Sequence, residues 1–286
     1  MKKVKPYLYL APSFSVIAVV FFYPIIQIAR FSTLRMSTHG NIFIGFQNYL
    51  SLFLDDVFIS SITHNFILLI SVPIMVFLAL LFSVLLFEQV GGWKVYRTIF
   101  YMPYLLSIPV VGIVFSYIFQ FNGILNQLLR SIHLAVLALD WLGNPNIALW
   151  TIMGVIIWKE FGFGIVLFFA RLMSVDEQLY EAAKLEGANW WQTLVRITIP
   201  QLALVIEFFI VIMIITMLSW VFNYVYVMTS GGPGGSTMVA EFYIYLTGFR
   251  YNLMGKASAA AILLLAITVV LIIVRYKISK RLEFET

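Results

Sequence analysis

Six apolar stretches, each long enough to cross a lipid bilayer, dominate this sequence. They cover residues 7–29, 65–87, 99–121, 147–172, 202–228 and 257–276, and a spanning helix needs roughly 20 apolar residues. Runs of this length predict an all-α, polytopic membrane protein with about six transmembrane helices. Composition agrees: 62% of the residues are hydrophobic and 11% charged, whereas a soluble domain carries about 25% charged residues. Lys2, Lys3 and Lys5 precede the first stretch, as they would in a signal peptide. A signal peptide's apolar region is only about 7–15 residues long, so the first stretch is expected to stay in place as a span. Pro73, Pro103 and Pro109 fall inside spans and mark expected bends, since neighbouring helices can satisfy the carbonyls that a proline frees.

Basic residues set the orientation. With the N-terminus inside, the inner segments hold Lys2, Lys3, Lys5, Lys94, Arg97, Arg171, Lys184, Arg196, Arg275, Lys277, Lys280 and Arg281. The outer segments hold only Arg30, Arg35, Arg130, Arg250 and Lys256. Both termini are therefore expected to be cytoplasmic. This distribution also accounts for the net charge of +5, because the basic residues form no patch suited to nucleic acid. The chain has no Cys, which excludes disulfides, thiolate catalysis and Cys-ligated metals. His39, His64 and His133 are too far apart in sequence to form a ligand-spaced pair. No catalytic or metal-binding residue is expected.

The outer connections are short. "SGGPGGST" at residues 230–237 reads as a turn. After it, Val239, Phe242, Leu246 and Phe249 recur at helical spacing, which predicts an amphipathic helix on the outer interface.

The most polar part of the chain, residues 174–200, lies between the fourth and fifth spans. Ser174 and Glu177 have the spacing of a capping box. A helix should run from there to about Glu186 and stop at Gly187. Asn189 can cap a second short helix from Trp190 to about Thr198, and Pro200 marks the start of the fifth span. Leu179, Ala182, Ala183 and Glu186 share one side of the first helix. A solvated connector is the plain alternative, but a loop this long and this well capped is more often functional.

The spacing Glu181-Ala182-Ala183, Gly187, Ile197, Ile199-Pro200 resembles the EAA loop of ABC importer permeases. That family usually has Leu where Ile199 stands. The resemblance covers almost the whole chain and looks like the sugar-permease branch, of the maltose and glycerol-3-phosphate type. "YLYLAPSFSVIAVVFFYPI" resembles its first span and "FIGFQNYLSLF" its first outer loop. "RTIFYMPYLLSIPVVG" resembles the start of its third span, "YVMTSGGPGGST" its Gly-Gly-Pro turn and "GKASAAAILLL" its last span. The resemblance implies a type I ABC importer permease (MetI-like) fold, one transmembrane permease domain over residues 1–286, and a coupling-helix loop at about 174–200. It implies that Leu179, Glu181, Ala182, Ala183, Gly187, Ile197 and Pro200 couple the chain to a cytoplasmic ATPase, with Glu181 meeting a basic or polar group. Ala182 and Ala183 would allow close docking. It further implies a second homologous permease, two ABC ATPase subunits, an extracytoplasmic solute-binding protein and a bacterial or archaeal inner membrane. ATP and Mg would sit on the partners, for this chain has no G-x-x-x-x-G-K-[ST] phosphate loop. The chain would be a non-catalytic transport subunit.

Charges within spans usually face a cavity or a partner. Lys159 and Glu160 lie in the fourth span, about 100° apart on a helix, so they need not pair. Two readings stand: they bond to a partner subunit's helices, or they face the solute. Glu207 is close to an interface and can snorkel. In "WKEFGFG" the glycines permit close helix packing, and Trp158 and Phe163 offer rings on which a sugar can stack. Met213, Thr216, Met217, Trp220 and Tyr224 fall on one face of the fifth span. Such a stripe serves either packing or solute, and in the resembled family the solute cavity is lined by the matching spans. The function expected is import of a carbohydrate, an oligosaccharide or a related polyol, by alternating access powered from partner ATPases. An ion-coupled secondary transporter is the rival, with Glu160 its one fair coupling acid. An intramembrane enzyme would need a catalytic constellation that the sequence lacks.

Overall fold

The computed structural model describes residues 5–37, 40–89 and 91–283. Lys2, Lys3 and His39, used above for orientation and metal chemistry, lie outside the described residues. Helices α1 (Lys5–Ile17) and α2 (Tyr23–Phe31) run together through a π turn at Ala18–Phe22. None of the membrane-length window within Leu10–Phe31 is buried. A short hairpin follows, β1 (Leu34–Ser37) paired antiparallel with β2 (Gly40–Phe43), with Leu34 opposite Phe43.

After α3 (Gln47–Phe53), Asp55 caps α4 (Asp56–Leu68) by accepting from the amides of Val57 and Phe58 at 3.0 and 3.2 Å. Helix α4 continues into α5 (Ser71–Phe87) as one membrane-length unit, Asp56–Phe87. The third apolar run does not form a single rod. It is split into α6 (Trp93–Leu105) and α7 (Ile108–Ile118), which are bent by 98°. Pro103 lies inside α6 and Pro109 in the first turn of α7, so the bend expected from the prolines is a full break.

Beyond α8 (Ile124–Ser131), helix α9 (Ala148–Leu172) is the centre of the bundle. Ile152, Ile156, Ile165, Phe168 and Leu172 are fully buried on it. Gly162 and Gly164 work as expected. A Cβ on Gly162 would lie 2.2 Å from the Phe100 carbonyl oxygen, and one on Gly164 2.7 Å from the Ala79 methyl. Lipid gives helices no hydrophobic drive to associate, so close backbone approach is what holds such a bundle together.

The polar loop folds as α10 (Glu177–Leu185) and α11 (Trp190–Thr193). A π turn, Leu194–Thr198, then leads into α12 (Ile199–Ser219). From Trp190 to Ser219 the helix is long and apolar enough to cross a membrane. The fifth run, expected as one helix to 228, breaks after Ser219 and restarts as α13 (Phe222–Met228). The turn at 230–237 is present, with positive φ at Ser230, Gly231, Gly234 and Gly235. Helix α14 (Ala240–Tyr245) and a π turn at Leu246–Arg250 occupy the expected amphipathic segment. Val239 and Phe242 are buried at 0% and 3%, while Phe249 is 66% exposed, so the first turn of this segment packs into the bundle. Asn65 pulls it in: its Oδ1 accepts from the Ala240 amide at 2.8 Å, and its amide donates to the Met217 carbonyl and to Glu241. The last span is α15 (Met254–Glu283).

Candidate functional site

Helix α10 is built on its caps. Its N-cap is Asp176, which accepts from the Gln178 amide at 3.0 Å, and not Ser174 as expected. The Ser174 hydroxyl instead donates to the Arg171 carbonyl at 2.7 Å, closing the end of α9. Gly187, at φ +78°, ends α10 in a Schellman motif. The Gly187 amide donates to Lys184 and the Ala188 amide to Ala183. The capping box appears one helix later. Asn189 Oδ1 accepts from the Gln192 amide at 2.9 Å, and Gln192 Oε1 accepts from the Asn189 amide at 2.8 Å.

Two contacts anchor this loop to the end of α5. The Phe87 and Tyr180 rings lie 5.4 Å apart, and the Trp190 indole N–H donates to Glu88. Arg171 closes the loop at its base, giving Nε to the Gln201 carbonyl and Nη2 to Gln201 Oε1 at 3.1 and 3.0 Å. The face left open carries Glu181, Ala182 and Leu185, with Leu185 89% exposed and Leu179 42% exposed. Ala183 is only 7% exposed. It faces this chain's own packing, so of the two alanines only Ala182 is open to close approach. Ile197 is half-buried and Pro200 exposed.

Within the bundle, Lys159 and Glu160 do pair, at 3.3 Å, and are 4% and 5% exposed. Lys159 Nζ also donates to the Tyr104 carbonyl at 3.2 Å and lies 5.0 Å from the centre of the Tyr104 ring. The Tyr224 hydroxyl donates to Glu160 Oε1 at 2.9 Å. Phe163 stacks on Tyr104, 5.0 Å between centroids and 17° between planes. The structure thus brings Lys159 and Phe163 onto Tyr104 and links Glu160 and Tyr224 to them through Lys159. Sequence reasoning missed Tyr104, although Pro103 beside it was the signal. Met213 and Met217 are 1% and 0% exposed, and Met217 Sδ accepts from the Ser71 hydroxyl. They belong to the packed core here. Thr216 is half-buried and donates to the Ile212 carbonyl, while Trp220 is 57% exposed.

The other side of α9 is open. Trp150, Gly154 and Trp158 stand one turn apart and are exposed. With Phe115, Phe119 and Trp141 they line a recess of about 500 Å³ between α7 and α9. A second cavity of about 500 Å³ shares Phe119 and adds Gln120, Asp140 and Thr229. Aromatic faces next to polar groups suit a solute with C–H faces and hydroxyls. Of this lining only Trp158 was anticipated from sequence.

Where α4, α14 and α15 meet, Asp55 Oδ2 accepts from Lys256 Nζ at 2.6 Å and from the Tyr243 hydroxyl at 2.7 Å. Partial burial by itself would raise the Asp55 carboxyl. The hydrogen bonds from Lys256, Tyr243 and the Phe58 amide, with the Lys256 charge, outweigh it and hold Asp55 below its ordinary value.

Residues 61–284 match the family described as binding-protein-dependent transport system inner membrane component. The probable ABC transporter permease protein YurN of Bacillus subtilis is 34% identical over 97% of this chain and 97% of its own length. The lactose transport system permease protein LacF of Rhizobium radiobacter is 31% identical over 87% of this chain and 84% of its own. Among solved structures, a bacterial alginate ABC transporter in complex with alginate pentasaccharide-bound periplasmic protein superposes with a TM-score of 0.82. That match is at 26% identity and covers 98% of this chain and 97% of the other.

Proposed function

This chain belongs to the family of binding-protein-dependent transport system inner membrane components, the permeases of ABC transporters, and from that premise we propose that it imports a carbohydrate. The solute is an oligosaccharide or a related polyol, handed over by an extracytoplasmic binding protein. The chain pairs with a second permease and with two ATPase subunits, which bind ATP and Mg. Both of its termini lie in the cytoplasm, and so does α10. Support for the solute class comes from the lactose permease and the alginate transporter that this chain resembles, and from the aromatic recess.

One observation carries the coupling part of the reading. Helix α10 offers Glu181, Ala182 and Leu185 on an open face, while its other side is fixed to α5 and its exit feeds a continuous helix from Trp190 to Ser219. A force on α10 is therefore delivered to a span. ATP binding closes the ATPases, draws the α10 helices of the two permeases together and turns the spans outward; hydrolysis resets them. An ion-coupled mechanism has less support, since Glu160 is already engaged by Lys159 and Tyr224.

The chain's lack of cysteine makes the test direct. A cysteine at Ala182 should cross-link to an ATP-binding protein in intact cells, and Glu181→Lys should abolish carbohydrate uptake while a proton uncoupler does not. Labelling of that cysteine by an impermeant reagent from outside the cell would sink the proposal.

A further inference from the structure

The third apolar run is broken between Leu105 and Ile108. In a straight helix the Tyr104 carbonyl would bond to the amide of residue 108. Here α7 starts at Ile108 and turns away by 98°, and the Leu106 amide goes to Pro103. The Tyr104 carbonyl receives Lys159 Nζ in place of an amide. A cation at this point also faces the negative end of the α6 dipole. Glu160 balances the charge at 3.3 Å, and the Tyr224 hydroxyl, from α13, fixes the Glu160 carboxylate. One turn along α9 from Lys159, Gly162 brings its backbone against the Phe100 carbonyl. Helix α6 is therefore held to α9 at Phe100 and at Tyr104, and the break sits just past Tyr104. The prolines permit the bend, but they supply no partner for the carbonyl that it frees.

We propose that Lys159 is a positioning residue that holds the third span bent, with Glu160 and Tyr224 linking the bend to α13. Neither the solute nor a partner subunit is the primary contact of this ion pair. The latch holds the end of α6 on α9 and so sets where α7 leaves it, with Phe115 against Trp158 in the aromatic recess. This inference stands apart from the identity of the solute and of the ATPase.

The test measures the bend itself. Spin labels are placed at two exposed positions, Val95→Cys on α6 and Tyr117→Cys on α7, in the intact transporter in nanodiscs. At 1.5 Å per residue, a straight span would separate these sites by about 10 Å more than a right-angled one. In the parent chain, pulsed dipolar spectroscopy should give one narrow distance distribution. Lys159→Met should broaden it toward longer distances, and Lys159→Arg, which keeps a donor and a charge, should restore the narrow one. An unchanged distribution in Lys159→Met overturns the proposal, and so does equal broadening in Met and Arg variants, which would mean packing alone. If Lys159→Met does not fold, Tyr224→Phe replaces it, since it removes only the hydroxyl that fixes Glu160. Broadening in Tyr224→Phe supports the latch, and no change refutes it.

Discussion

Arg171 and Gln201, thirty residues apart, are joined by two hydrogen bonds that close the base of the polar loop. Arg171 is the last basic residue of α9, and Gln201 lies in the first turn of α12. The fork fixes the distance between the two spans that carry α10. A hydrogen bond from a charged donor contributes about 1.5–3 kcal/mol, so even the weaker value shifts the clasped population about tenfold. Arg171→Ala should lower uptake by about that factor or more, while the ATPase subunits still co-purify. Arg171→Lys should recover only part of it, because an ammonium cannot reproduce the fork. Uptake measured beside co-purification separates a slack loop from a lost docking face.

Gly162 and Gly154 lie on the same helix and should respond in opposite ways to the same substitution. A methyl on Gly162 meets the Phe100 carbonyl oxygen at 2.2 Å, whereas one on Gly154 meets nothing within 4 Å. Overpacking costs about 1–3 kcal/mol, and a backbone oxygen yields less than a side chain. Gly162→Ala should lower the apparent Tm in detergent by several degrees. Gly154→Ala should leave it unchanged or raise it, since alanine is favoured over glycine in a helix by about 1 kcal/mol. The comparison needs no solute.

The Asp55–Lys256 pair predicts a pH dependence of stability. The Asp55 carboxyl is held below its ordinary value of 3.8, so its contribution is complete above that pH. It is lost as the pH falls through the lower folded value. Asn at position 55 would keep a good helix cap but would put an amide N–H2, a donor, where Oδ2 now accepts from Lys256 and Tyr243. The pair is about one-fifth exposed, and surface-screened pairs contribute up to about 1 kcal/mol. With the Tyr243 bond lost as well, Asp55→Asn should be less stable than the parent at pH 7 by about 1–2 kcal/mol, and the gap should narrow in acid. Thermal unfolding of both chains between pH 3 and pH 7 checks this.

What the sequence made legible follows from the membrane. The fourth span was expected at 147–172 and is found at Ala148–Leu172, because length and hydropathy alone decide where a spanning helix lies. Gly187 and Asn189 were readable for another reason: their effects are local, a positive φ and a side chain that bonds three residues on. The misses were set by contacts distant in sequence. Ser174 had the spacing of a cap but is used by Arg171. No Pro or Gly marks the break after Ser219; beyond it Val221, Tyr224 and Val225 are drawn into the core. The hydrogen bond of Lys159 to Tyr104 spans 55 positions, and helical geometry within one span cannot show it. For the same reason the two methionines on α12 read equally well as packing or lining until Ser71 and the core around them were seen.

Leu185 is the residue of α10 that most needs a partner. It is 89% exposed, against 42% for Leu179, the other leucine of the helix. Removing a leucine side chain from water contributes about 1.5–3 kcal/mol, so a docked ATPase should gain tenfold or more in affinity from this one contact. Leu185→Asp should therefore reduce co-purification of the ATPase subunits by at least about tenfold and leave the chain's own Tm unchanged. Leu185→Met, which conserves volume, should behave like the parent. Ala183→Asp should do the reverse and lower the Tm first, because Ala183 is buried in this chain and a carboxylate there has no room and no partner. If Leu185→Asp assembles normally, the docking face is not the open side of α10, and force must enter the bundle through another part of the loop.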